Sequence, residues 1–195
     1  MVGAIAFLSC KRPKCVEKCV LVVSVTLIFL GAAQAQTSLE YELKAAFLYR
    51  FTEFVEWPAQ AFSTPQSPIR VCVFGLDPFG NALDRTLRGE QVKGRPLVAM
   101  RTRRMEELSA CHVVFISRSE REQAAAVLSR LRGNPVLSVS EAQDFLEQGG
   151  IINFVTEGAR IRFEINNESA QRAGLMLSSK LLTLARAVRP GGRRE

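Results

Sequence analysis

From Ile69 onward the chain alternates short, nearly uninterrupted apolar runs with stretches of helical spacing, and few architectures accept that alternation. Ile69 to Phe74, Cys111 to Ile116 and Val136 to Val139 read as strands apolar on both faces, with Pro96 to Arg101 as a further strand. Between them lie helical stretches. One starts at Asp77-Pro78, an N-cap with proline at the first helical position, and runs to Leu87. Met105 to Ser109 fills one or two turns, and Glu120 to Leu131 is capped by Ser119 and ended by Gly133. A short helix is expected from Glu141 to Leu146. Ile151 to Val155 and Arg160 to Ile165 then form a hairpin at one sheet edge, turning at Glu157-Gly158. The pattern predicts an α/β domain with a mostly parallel sheet of about five to six strands, flanked by helices.

Two further helices frame this body. An extra N-terminal helix spans Leu39 to Val55, where Leu39, Leu43, Ala46, Phe47, Phe51, Phe54 and Val55 make an apolar stripe. Trp57-Pro58 closes it, since the residue before a proline is pushed away from helical angles. A Pro- and Ser-rich loop follows to Pro68. At the other end, Asn167 to Val188 reads as one long helix with Ala170, Leu177, Leu181, Leu184 and Val188 along a face.

Ahead of all this, Lys11, Arg12, Lys14 and Lys18 precede an apolar run from Val20 to Leu30, and Ala33-Gln34-Ala35 offers small residues for a peptidase. This is the anatomy of a secretory signal peptide over residues 1–35, cleaved between Ala35 and Gln36. A retained anchor is the rival reading, but spanning a bilayer takes roughly 20 apolar residues and the second half of this stretch is Gly, Ala, Gln and Ser. Export leaves a mature α/β domain over 36–189 and a frayed tail over 190–195. Cys10, Cys15 and Cys19 leave with the leader. Cys72 and Cys111 remain, and in an exported chain two cysteines permit a single disulfide. The formal charge of +7 also falls to a mild positive balance, which is no nucleic-acid signature.

Catalytic groups are scarce. His112 is the one histidine, at a strand start beside Cys111, and reads as a structural group. No Gly-x-Ser-x-Gly elbow accompanies it, and Ser178-Ser179 lie in a predicted helix. With a single histidine and two distant cysteines, no metal site is expected. The span Gly75 to Gly80 has a phosphate-loop spacing but lacks the Lys-Ser/Thr of a Walker motif and the Gly-x-Gly of a dinucleotide site. Arg101, Arg103 and Arg104 read as a solvated cluster, with an acidic partner or lipid headgroups as the lesser option. Trp57, the only tryptophan, is placed to line a surface cleft or to act as an exposed anchor.

Several blocks carry a resemblance. Leu43-Lys44-Ala45-Ala46-Phe47-Leu48-Tyr49 with Phe54-Val55-Glu56-Trp57-Pro58, Cys72-Val73-Phe74-Gly75-Leu76-Asp77-Pro78, and the stretches 149–154, 162–166 and 173–182 are similar to the signatures of the YfiR family. The resemblance implies a Rossmann-like domain, a homodimer, and a periplasmic repressor of an inner-membrane diguanylate cyclase. It further implies an outer-membrane lipoprotein that sequesters the repressor. Cys72 and Cys111 match one of the family's cysteine pairs. Basic positions of a family ligand pocket are held here by Glu56, Met176 and Ser178.

The sequence thus leads to a non-enzymatic periplasmic regulator without a cofactor. Glu56, Trp57, Met176 and Ser178 form its expected partner or ligand surface. The alternative is a small-ligand sensor acting on another membrane protein such as a histidine kinase.

Overall fold

Residues Ile69–Phe74 (β2), Val113–Ile116 (β5) and Leu137–Ser140 (β6) are almost wholly buried, as strands covered on both faces must be. The computed structural model describes residues 38–158 and 160–189. The expected leader, its cleavage between Ala35 and Gln36, and the expected tail lie outside the described residues. Among the described residues no helix is long and apolar enough to cross a membrane.

The chain from Glu40 onward builds around one sheet. Helix α1 (38–54) leads into β1 (Val55–Glu56). After β2 come α2 (Asn81–Leu87), β3 (Gln91–Val92) and β4 (Arg95–Thr102), then β5, α3 (Ala124–Leu131) and β6. The hairpin β7 (Ile152–Glu157) and β8 (Arg160–Asn166) follows, and the chain ends with α4 (Asn167–Arg172), β9 (Met176–Leu177), α5 (Ser179–Leu184) and β10 (Ala187–Arg189). The sheet has eight strands in the order β10-β8-β7-β6-β5-β2-β4-β3. The longer strands are those the sequence predicts, and β3 and β10 are short additions at the two edges. Pairing is parallel from β4 through β2, β5 and β6 to β7, and antiparallel at β7–β8 and β3–β4.

Period-two alternation sorts the core into two layers. Val71, Val73, Val113 and Phe115 face α1 and α2, where Leu48, Phe51 and Leu83 meet them. Cys72, Phe74, Val114 and Ile116 face the other way, onto Leu108, Val127, Leu131 and Phe145. A disulfide joins Cys72 to Cys111 with a Cα separation of 6.1 Å, made possible because β5 lies beside β2.

Five local expectations are corrected. The long C-terminal helix is instead α4, β9, α5 and β10. Gly174, at φ +71°, ends α4, with Gly174 N–H on Gln171 O and Leu175 N–H on Ala170 O, and Ser178 starts α5 afresh by accepting from Leu181 N–H. Leu181 and Ala170 are buried as predicted, whereas Leu184 and Val188 are exposed. Asp77 is not an N-cap. Its carboxylate accepts from Phe79 N–H at 2.7 Å, and α2 starts at Asn81. Ser119 likewise caps nothing, because a 3-10 segment over Arg118–Gln123 intervenes before α3. The hairpin is not the sheet edge either, since β10 adds in parallel outside β8, and residues 143–149 form turns where a short helix over 141–146 was expected.

Candidate functional site

Glu56 and Trp57 lie far in sequence from Met176 and Ser178, yet the fold brings the end of α1 and the start of α5 side by side. α1 gives way to β1 at Val55, and β1 pairs antiparallel with β9, placing Val55 opposite Leu177 and Glu56 opposite Met176. Ser178 N–H continues the pairing to Phe54 O at 2.9 Å while its hydroxyl caps α5. The result is a two-stranded ribbon separate from the main sheet. On its outer side Met176 is 65% exposed, and the Glu56 carboxylate meets Lys93 Nζ at 3.2 Å.

Trp57 differs from the exposed anchor the sequence suggested. It is half-buried, stands edge-on to His112, and its buried indole N–H has no acceptor among the described residues. It does line a cleft, of about 330 Å³, between the end of α1, the 59–62 turn and β3. Arg95 lies over the Phe62 ring at 3.6 Å, and Phe62 stacks on His112 at 4.6 Å. His112 is structural: Nδ1 accepts from Arg70 N–H at 3.1 Å and Nε2 lies 3.2 Å from Ala61 O, which fixes a neutral ring with its proton on Nε2. Burial moves its pKa below the ordinary imidazole value.

The crevice at the carboxyl ends of β2 and β5 is where an open α/β sheet usually binds its ligand. Here the chain fills it. Ser119 Oγ accepts from Leu76 N–H at 3.0 Å and donates to Glu120, whose side chain lies where a Cβ on Gly75 would be, within 2.5 Å. Gly75 sits at φ +98°, so both its conformation and this contact require glycine. Arg101 is folded onto Asp84 and Asp77, at 2.9 Å from the latter, and is thereby held in place, although it stays exposed like Arg103 and Arg104. This pairing lowers the Asp84 pKa, chiefly through the hydrogen bond from Arg101.

The sequence reading missed a buried charge cluster. Lys44 is fully buried and bonded to Glu40 and Glu141, with its ammonium 4.6 Å from the Tyr41 ring centre. Glu141 also accepts from Tyr41 at 2.7 Å and pairs with Arg118 at 3.1 Å, and burial with that carboxylate raises the Tyr41 pKa. The signal was present in the helix register, since position 44 falls on the same face as the buried Leu48, Phe51 and Val55.

These features define an α/β domain of flavodoxin-like strand order whose switch-point crevice is closed by its own side chains. Residues 41–186 match the profile described as YfiR/HmsC-like, and the chain belongs to that family. Among solved structures, a conserved domain protein from Vibrio cholerae O1 biovar El Tor matches at TM-score 0.46 and 10% identity, over 62% of this chain and 54% of the other. The ABC domain from Streptococcus pneumoniae, in complex with L-Trp, matches at TM-score 0.46 and 11% identity, over 67% of this chain and 57% of the other. The chain thus spans a little over half the length of these two structures.

Proposed function

We propose that this chain is a non-enzymatic periplasmic regulator that represses an inner-membrane diguanylate cyclase by binding its periplasmic part. The observation that carries the reading is the family match across residues 41–186. The β1–β9 ribbon is the proposed docking face, because exposed Met176 and Glu56 stand side by side on it. Repression of this kind requires no chemistry, only tighter binding to the inactive cyclase, and a tenfold bias needs about 1.4 kcal/mol. Capture by an outer-membrane lipoprotein and self-association as a homodimer belong to the same proposal.

Deleting the gene is expected to raise cellular cyclic-di-GMP. Met176→Arg and Glu56→Arg are expected to reproduce the deletion while the protein is still exported and folded. Unchanged cyclic-di-GMP on deletion, with the cyclase expressed, would refute the cyclase reading and favour a sensor kinase as target.

A further inference from the structure

We propose that the cleft behind the β1–β9 ribbon binds a small organic carboxylate, with its apolar body against Trp57, Phe62 and Val92 and its carboxylate on Arg95. The lining decides the charge. Lys93 and Arg95 both contribute to it and no carboxylate does, whereas the larger clefts of the domain mix arginines with acids. Apart from Thr52, whose hydroxyl donates to Tyr49 O, the remaining lining residues are apolar or aromatic, including the buried Val55, Ile69 and Val92. An apolar pocket with a few convergent polar groups is the usual form of a small-molecule site, and about 330 Å³ lies at the small end of that class.

Arg95 is pre-positioned for such a ligand. Its Nη1 donates to Thr64 O at 2.9 Å and to Ser67 O at 3.0 Å, and its guanidinium carbon lies 3.6 Å from the Phe62 ring centre. Those bonds use one of its amino groups. Nε and Nη2 have no partner among the described residues, and a guanidinium carries its donors in a rigid fork that suits a carboxylate. Holding that fork in advance removes part of the ordering cost of binding. Among the described residues Lys93 is tied only to Glu56, in a pair with both side chains more than half exposed. An exposed pair of this kind is weak, so Lys93 can turn to a second anion at little cost.

Trp57 is the chain's only tryptophan, so its emission reports directly on the cleft. Purified mature protein is titrated with 3-phenylpropionate and, separately, with the neutral 3-phenylpropionamide, following Trp57 fluorescence and the heat of binding. A saturable change with the acid is expected, at least about tenfold weaker with the amide. Arg95→Gln is expected to abolish it. Because Arg95 also holds the 64–67 loop, Lys93→Glu serves as the fold-neutral variant, expected to weaken binding about tenfold with an unchanged thermal midpoint. No saturable signal in the millimolar range, equal binding of the amide, or undiminished binding by both variants would overturn the site. None of these readouts involves a cyclase, so failure here leaves the docking proposal untouched.

Discussion

Lys44 lies inside the protein with Glu141 and Glu40 bonded to its ammonium. Removing one member of such a group leaves an uncompensated charge, which costs far more than the group contributes when intact. Glu141→Ala is therefore expected to lose about 3–5 kcal/mol in denaturant unfolding, well beyond the effect of an exposed acid-to-alanine change such as Glu122→Ala. His112 gives a pH test. Its folded pKa lies below the free value of 6.5, so the neutral ring contributes fully above that value, and stability falls as pH drops below it. A protonated ring would also turn a donor toward Arg70 N–H, where it now accepts. Unfolding free energies at pH 7.5 and pH 5 should differ less in His112→Gln than in the wild type, with background from other groups common to both.

Among the elements, the C-terminal third offers the clearest contrast. Leu181 is 1% exposed and Leu184 is 62% exposed, although both fall in the same short helix. Leu181→Ala should cost about 2–5 kcal/mol and Leu184→Ala under about 0.5 kcal/mol in chemical denaturation. The strands were legible because their burial on both faces writes a continuous apolar run, as in Val113–Ile116. The hairpin was legible from the alternation of Phe163 and Ile165 with Arg162 and Glu164. Periodicity misled at Asn167 to Val188, where leucines at helical spacing outweighed Gly174 and Ser178. Those two residues supply the stop and the new cap. Glu56 and Met176 could be named from sequence, but their adjacency depends on β1 meeting β9, a long-range pairing of two-residue strands with no local signature. The cleft depends likewise on Arg95 reaching the carbonyls of a loop that precedes it in the chain.

At the scale of the whole molecule, the Cys72–Cys111 bridge closes a loop of 39 residues through the middle of the sheet. Chain-entropy reasoning gives it about 4 kcal/mol, a large part of the roughly 5–15 kcal/mol that holds a typical domain folded. Unfolding with and without reductant should differ by about that amount, and Cys72→Ala/Cys111→Ala should match the reduced protein under both conditions. The bridge also determines how the domain carries load. A pull applied at residues 38 and 189 passes from β2 through the two sulfur atoms to Cys111, two residues ahead of β5. Tension bypasses α2, β3 and β4, which lie inside the closed loop and stay slack even when the rest of the chain is drawn out. In single-molecule stretching the oxidised chain should end about 130 Å shorter than the reduced one, the extended length of the segment the bridge encloses.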